Sequence, residues 1–322
     1  MALLGIDLGG TKLASALFAE DGTILLKESV PLEDRAGQEV GKLITDLIIR
    51  QLETAETKGS HNCSVGISVP GISHTRSGTV WAPNIRGWNA YPLLTEAKEA
   101  AGDVPVIIDS DRACHILGEV WMGNARGCKD AVFLAVGTGI GAGIIINGEV
   151  LRGSNDIAGA IGWMALNRPF ENKYTECGCF EYHASGEGIA KVTRELLGKY
   201  SYYKGSLRKL NIESINSYDL FSAYENGDSL ASEVIGQCIE FWGMAVANVV
   251  SLFNPEKIIF GGGVFGPATK LIPAIRDEAA RWAQPISINQ VNLEVSALGG
   301  DAGVYGAGYL ALRNLQDCYL SK

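Results

Sequence analysis

Apolar and polar positions alternate in short blocks at the start of the chain, and those blocks predict three strands. Residues 3–7, 13–19 and 23–30 carry the pattern, with Gly9-Gly10-Thr11-Lys12 forming the first turn and Asp21-Gly22 the second. The period then lengthens: Val40, Leu43, Ile44, Leu47, Ile48 and Leu52 recur at helical spacing and predict a helix over 37–56, ending in a polar loop around Gly59. A buried strand over 64–69 runs into Pro70-Gly71, and a short strand near 78–81 leads to Pro83-Asn84. A helix follows over about 91–101, and Val106-Ile107-Ile108 is a further strand. That strand ends in Asp109-Ser110-Asp111, where the next helix begins. Strands alternating with helices make the fold α/β, with at least part of its sheet parallel.

The pattern restarts at Ala131. A strand over 131–136, a turn at Gly137-Thr138-Gly139-Ile140-Gly141 and a strand over 142–146 repeat the opening hairpin in outline. Read alone, the first hairpin is either an ordinary glycine turn or a cradle of backbone N–H groups for an anion, with Thr11 and Lys12 adding a hydroxyl and a positive charge. Its repetition predicts two related halves, each presenting a glycine turn to one cleft, and favours phosphate. Residues 152–180 show no periodicity, and helices are expected over 182–199, 217–225 and from Ser229 to about Phe253. The last carries an apolar stripe that includes Trp242, which core packing explains, and Asn254-Pro255 stops it. A strand over 257–260 leads through Gly261-Gly262-Gly263 towards a helix. The final helix, over about 301–315, is rich in small residues (Ala302, Gly303, Gly306, Ala307, Gly308) and can pack closely against a neighbour. The domain boundary is expected near 115–130.

Composition narrows the function classes. A chain of 322 residues favours two domains, and 47% hydrophobic against 20% charged residues supports a sizeable core. A net charge of −9 without a long basic run argues against nucleic acid as a partner. Seven scattered cysteines, an odd number, read as reduced thiols in a cytoplasmic protein. The apolar start is short, contains Asp7 and lacks a basic leader, so no signal peptide is expected, and no run of about 18 apolar residues predicts a membrane span.

The ordered set Asp7-Leu-Gly-Gly-Thr-Lys12, Gly137-Thr-Gly-Ile-Gly-Ala-Gly143, Gly261-Gly-Gly263 and Asp301-Ala-Gly-Val-Tyr-Gly-Ala-Gly308 resembles the ROK family of bacterial sugar kinases and sugar-sensing repressors. Pro70-Gly71, Pro83-Asn84 and Glu181-Tyr-His-Ala-Ser-Gly186 extend the resemblance over nearly the whole chain, and no Walker-type loop competes with it. The resemblance implies a two-domain actin/hexokinase-like fold (ribonuclease H-like). The N-terminal domain would comprise 1–117 and 301–322, the larger domain 118–300, with ATP in the cleft between them. It implies that Gly9, Gly10, Thr11, Lys12, Thr138 and Gly139 hold the phosphates and that Gly262 and Gly263 lie against the adenosine. Asp7 would orient Mg2+, through water. A homodimer is also implied. Asp111 matches the family's catalytic base; by itself, the run Asp109-Ser110-Asp111 before a helix reads more readily as an N-cap than as a base.

The sugar end departs from the family. Ser110 stands where the family usually has Asn, and Ala160 and Trp163 replace a glutamate and a histidine that bind sugar hydroxyls. Gly71, Asn84 and Glu181 match sugar-contacting positions. The family's structural zinc would need that histidine and three cysteines. Trp163, Asn172 and Tyr174 occupy three of those positions, Cys179 alone aligns, and Cys177 is out of register, so no zinc is expected. Trp163 either packs beside an apolar sugar face or fills the volume of the missing ligands. The implied function is ATP-dependent phosphorylation of a hexose or hexose derivative. The alternatives are a catalytically degenerate sugar-binding protein and a kinase for a polyol-like substrate.

Overall fold

The computed structural model describes residues 1–60 and 62–320. Along the chain run β1 (Ala2–Leu8), β2 (Lys12–Phe18), β3 (Ile24–Pro31), α1 (Gln38–Thr57), β4 (Cys63–Val69), β5 (Ile72–His74), β6 (Thr79–Trp81), α2 (Leu93–Ala101), β7 (Val106–Ser110) and α3 (Asp111–Met122). Then come β8 (Ala131–Val136), β9 (Ile140–Ile146), β10 (Glu149–Val150), α4 (Cys179–Ala184), α5 (Gly186–Lys199), α6 (Ser217–Glu225) and α7 (Ser229–Phe253). The chain closes with β11 (Lys257–Gly261), α8 (Ile272–Trp282), α9 (Pro285–Gln290), β12 (Asn292–Val295) and α10 (Ala302–Leu320). Two compact units result: Met1–Gly127 with Val150–Ala158 and Ala297–Lys322, and Cys128–Glu149 with Gly159–Ser296. The expected division at 117/118 falls inside α3, whose packing on α10 keeps the whole helix in the first unit.

Each unit is built on a five-stranded sheet, and the two sheets share one topology. The first has the order β3-β2-β1-β4-β7 and the second β10-β9-β8-β11-β12. In both, an antiparallel hairpin supplies a strand to which a later strand pairs in parallel, and a second later strand pairs in parallel with that one. The hairpin repeat seen in the sequence therefore extends to the whole sheet. Residues missing from the periodicity reading are short or masked by other signals. β12 has only four residues, and α8 begins with Ile272-Pro273 after 3-10 turns over Gly263–Phe265 and Pro267–Leu271. The helix expected over 182–199 is broken at Ser185, whose extended backbone and side chain, accepting from Gly188 N–H at 3.0 Å, start α5 as a new helix.

In the second unit α7 is the core helix. It is long and apolar enough to cross a membrane by composition, yet 61% of its most apolar window is buried inside the protein. Its Trp242 is fully buried and donates its indole N–H to the Ala184 carbonyl at 3.1 Å. Burying a polar donor with a partner avoids the cost of an orphaned N–H.

In the first unit α10 lies on β1, β4 and α3 at backbone distance. A Cβ on Gly66 would overlap the carbonyl oxygen of Ala307, and one on Gly306 the carbonyl of Cys114. Neither obstacle is a movable side-chain tip, so the small residues foreseen in this helix are a steric requirement. Around this seam Phe18 packs on Trp121 (ring centroids 5.3 Å) and Tyr305 (5.0 Å).

The segment returning to the first unit brings Arg152 to Asp109, a carboxylate at the end of β7 that is only 4% exposed. Arg152 donates from Nε (3.0 Å) and Nη2 (2.5 Å) to Asp109 Oδ2, while Oδ1 accepts from Ser110 N–H at 2.8 Å. Glu119, inside α3, accepts from the N–H groups of Asn124 (2.7 Å) and Leu298 (3.4 Å), tying α3 to the entry of α10.

Two stability measurements follow from these contacts. Gly306→Ala would gain about 1 kcal/mol of helix propensity, but overlap with the Cys114 backbone costs about 1–3 kcal/mol or more, so a lower urea midpoint is expected. A raised midpoint would show that α10 can lift off α3 freely. Arg152→Leu leaves Asp109 buried without its cation and is expected to cost about 1–3 kcal/mol, partial solvent access of the arginine holding the effect to that range. Adding Asp109→Asn should restore part of that loss in a double-mutant cycle; simple additivity would show that the pair does not interact.

Candidate functional site

In the first unit the predicted residues gather at the carboxyl ends of the parallel strands. Asp7 pairs in register with Ser68, and Ser68 with Asp109, so the three lie in one row across β1, β4 and β7. Open α/β sheets bind ligands at this edge. Ser68 Oγ donates to Asp7 Oδ1 at 2.6 Å, and the carboxylate has Gly303 of α10 directly behind it, where a Cβ would overlap it. Asp7 is thereby fixed from both sides. The Gly9–Lys12 turn is tight, Gly9 N–H donating to Lys12 carbonyl at 2.9 Å, and Gly10, Thr11 and Lys12 are exposed. Asn84 comes to this turn: a Cβ on Gly10 would stand 3.1 Å from its Nδ2.

The start of α3 shows which residue caps it. The N-cap is Ser110, whose hydroxyl accepts from Ala113 N–H at 3.3 Å. Asp109 is occupied by Arg152. Asp111 is the first helical residue, half-buried, with Oδ1 accepting the N–H of Arg112 at 2.8 Å. Burial pushes its carboxyl above the ordinary carboxylate value of 3.8; His115 and Arg112 oppose this, and the Asp7 charge adds to it. Arg112 also donates from Nη2 to the Gly71 carbonyl at 3.1 Å, holding Gly71, at φ +83°, beside the same helix start. Ser68, Arg112 and Arg152 were not singled out from the sequence, because a lone serine or arginine carries no motif.

The second unit assembles a different set. Gly137 N–H donates to Gly139 carbonyl at 3.0 Å, and the turn meets the start of α5, where Gly186 N–H donates to Gly137 carbonyl at 2.8 Å. Thr138 is exposed at the apex. Gly262, at φ +88°, runs against Val136, and Gly263 faces the Tyr218 hydroxyl. Gly137, Thr138, Gly186, Tyr218 and Gly263 line a cavity of about 420 Å³ bounded also by Glu187, Arg194, Asn216 and Val264. Of these, Tyr218 is an aromatic 63% exposed beside the Gly263 backbone and suits a planar ring; nothing in its sequence context marked it.

Beside this cavity is a smaller one of about 130 Å³ with Thr138, Gly139, Glu181 and Lys191 on its walls. Glu181 Oε2 accepts the Ile140 N–H at 2.6 Å. Burial raises its carboxyl above the usual value, with the Ile140 N–H and Lys191 pulling the other way. Trp163 is 57% exposed, so it does not fill the volume of the missing ligands, the second of the two roles expected for it.

The donors around 160–183 do not fit a structural zinc. Trp163 and Asn172 carry no imidazole or thiolate, and Tyr174 is committed to hydrogen bonds with Glu171 and His183. Among the described residues no group of three or more His, Cys, Asp or Glu side chains has the arrangement of a metal site. All seven cysteines are free thiols. For magnesium the requirement differs, because that ion binds through one or two carboxylates plus substrate phosphates, and the anchored Asp7 carboxylate fits such a role.

Known proteins share this architecture. A glucokinase from Halalkalibacterium halodurans is 32% identical over 315 residues, 95% of this chain and 94% of that protein. The ROK hexokinase of Thermus thermophilus superposes with a TM-score of 0.80 at 28% identity, covering 98% of this chain and all of the other. A ROK glucokinase from Streptomyces griseus, solved with glucose and AMPPNP, superposes with a TM-score of 0.76 at 26% identity over 97% of this chain and 100% of that one. The ROK family itself matches residues 3–314. The sheets, the order of the glycine turns and these likenesses agree: the chain belongs to the ROK family and has its actin/hexokinase-like fold.

Proposed function

We propose that the chain is an ATP-dependent carbohydrate kinase that phosphorylates a hydroxyl of a hexose or hexose derivative, with Asp111 as general base. The observation that carries this reading is the division of labour at the start of α3. Ser110 caps the helix and Asp109 is neutralised by Arg152, so Asp111 alone of the three acidic or hydroxyl groups keeps a carboxylate oxygen uncommitted. The carbohydrate-kinase class is supported by the glucokinase relative over nearly the full chain. ATP as donor is supported by the AMPPNP complex of the Streptomyces griseus protein.

A sugar hydroxyl is a weak nucleophile until its proton has somewhere to go. Asp111 takes that proton as the hydroxyl oxygen bonds to the γ-phosphorus; the bond to the β–γ bridging oxygen breaks, and ADP leaves with the electron pair. The backbone at Gly9, Gly10, Thr11 and Lys12 and at Thr138 and Gly139 would hold phosphates, and Gly262 and Gly263 the adenosine. Asp7 would hold Mg2+ through water; when bound, that ion offsets charge on the phosphates. Gly71, Asn84, Ser110 and Glu181 would contact the sugar, with Trp163 against an apolar face. That wall favours a less hydroxylated or substituted sugar over one with polar groups on every side. Seven free thiols agree with a cytoplasmic setting, and the homodimer stays part of the reading through the family.

An ATP-consumption screen over hexoses, amino sugars, N-acetylated sugars and polyols tests the reading. Turnover is expected with at least one hexose derivative; measurable sugar binding without turnover would instead make the chain a sugar sensor. Asp111→Asn is expected to lower kcat by about 10²–10⁴ with the KM for ATP little changed. Because the folded protein raises the Asp111 carboxyl, ionisation costs stability, which is lost as pH rises from 3.8 to the folded value and stays lost above it. The neutral amide should therefore match or exceed the wild-type Tm at neutral pH. A large fall in Tm would assign Asp111 a structural role. In the pH profile of kcat/KM, the acid limb should lie above 3.8, since activity requires the ionised base; a limb at or below it would remove Asp111 from that role.

A further inference from the structure

Glu181 sits on α4, a helix of only six residues, and a helix that short needs external support. The support is a buried polar and aromatic chain on its far end. Tyr174, 4% exposed, donates its hydroxyl proton to Glu171 Oε1 at 3.0 Å. Its oxygen therefore accepts from His183 Nε2 at 2.9 Å, which fixes the histidine as the Nε2–H tautomer. Nδ1 is then a bare lone pair, in agreement with its lacking a hydrogen-bond partner although buried. The ring stacks on Phe241 of α7, with centroids 4.5 Å apart and planes 9° from parallel. Burial holds the imidazole neutral, its pKa lowered to about 4, with Lys173 adding to the effect and Glu171 and Glu195 opposing it. Further along the same helix end, Cys238 Sγ approaches the His183 carbonyl at 3.6 Å and Trp242 holds that of Ala184. Gly178, at φ +85°, turns the loop into α4 so closely to Gly162 that a Cβ would crowd its carbonyl.

We propose that Tyr174 and His183 are positioning residues: their hydrogen bond, clamped on Phe241, fixes α4 and so aims the Glu181 carboxylate, and it does this without a metal ion. The kinetic half of the proposal rests on the reading of Glu181 as a sugar ligand. The structural half does not, because the Glu181–Ile140 hydrogen bond reports the same positioning in the absence of sugar.

The test uses Tyr174→Phe, His183→Leu and His183→Gln in the full chain. The first two delete the hydrogen bond, whereas the glutamine amide can restore a donor near the Nε2 position. Tyr174→Phe and His183→Leu are expected to raise the sugar KM roughly three- to tenfold, with kcat and the KM for ATP within about twofold, and His183→Gln to recover most of the loss. Hydrogen exchange at the Ile140 amide should quicken roughly tenfold in the same two variants and return in His183→Gln. If the wild type turns over no sugar, the kinase reading fails and the exchange result decides the positioning by itself. If Tyr174→Phe does not fold, the two His183 variants decide it. Equal loss of Tm in all three variants with unchanged KM and Ile140 exchange would overturn the proposal. So would stoichiometric zinc in the purified wild type together with loss of activity after zinc-selective chelation in excess Mg2+; activity retained after that treatment, with Mg2+ supplied throughout, is expected.

Discussion

The first unit depends on one steric constraint, the backbone-distance contact of α10 with β1, β4 and α3. Gly66 and Gly306 leave no room for even a methyl group between these elements. A helix that touches a sheet this closely brings its first turn against the strand ends, and there Gly303 backs the Asp7 carboxylate. The other side of Asp7 is held by Ser68. A segment from the far end of the chain thus fixes the direction of a charged group seven residues from the start. Close packing of this kind transmits position without transmitting charge, which suits a carboxylate that must stay available to a ligand.

The shared strand order of the two sheets shows one scaffold used twice with different elaboration. In the first unit the strand ends carry Asp7, Asp109 and, one helix position on, Asp111. In the second the corresponding edge is made of glycine backbone at Gly137–Gly139 and Gly262–Gly263. Acidic groups are suited to accepting protons or holding cations, and bare N–H groups to receiving anions. The long excursion between β10 and β11 in the second unit adds Trp163 and, on α4, Glu181.

Much of the scaffold was legible because it rests on periodicity. The hairpin strands, α1 and α7 stand out by spacing alone, and the repeated Gly-Thr turn correctly announced a second sheet of the same kind. What was not legible depended on partners distant in sequence. Nothing local says which of Asp109, Ser110 and Asp111 caps α3; Arg152, 43 residues on, settles it by taking Asp109. Ser185 breaks a continuous apolar pattern because its cap bond to Gly188 competes with helix continuation. The exposure of Trp163 could not be read from a residue type that is most often buried. The sequence shows Tyr174 only as a residue in place of a zinc ligand, because a hydrogen-bonded pair across nine positions, such as Tyr174 and His183, leaves no spacing signature.

Asp111 and Glu181 share a physical condition that links the two units in chemistry. In each, burial is the largest influence and raises the carboxyl above its usual value, while the protein supplies too little opposing charge to cancel it. For Glu181 a divalent cation nearby would have supplied that charge, but the neutral Tyr174–His183 pair supplies none. Both carboxylates are therefore under-solvated in the absence of ligand. Hydroxyl groups of a sugar are donors that offset part of this desolvation, more for an ionised carboxylate than a neutral acceptor, since charge-assisted hydrogen bonds are the stronger kind. The cost of burying each group is thus carried by the empty protein and relieved on binding. On the proposed reading, recognition of a polyhydroxyl substrate and the basicity asked of Asp111 would draw on the same burial.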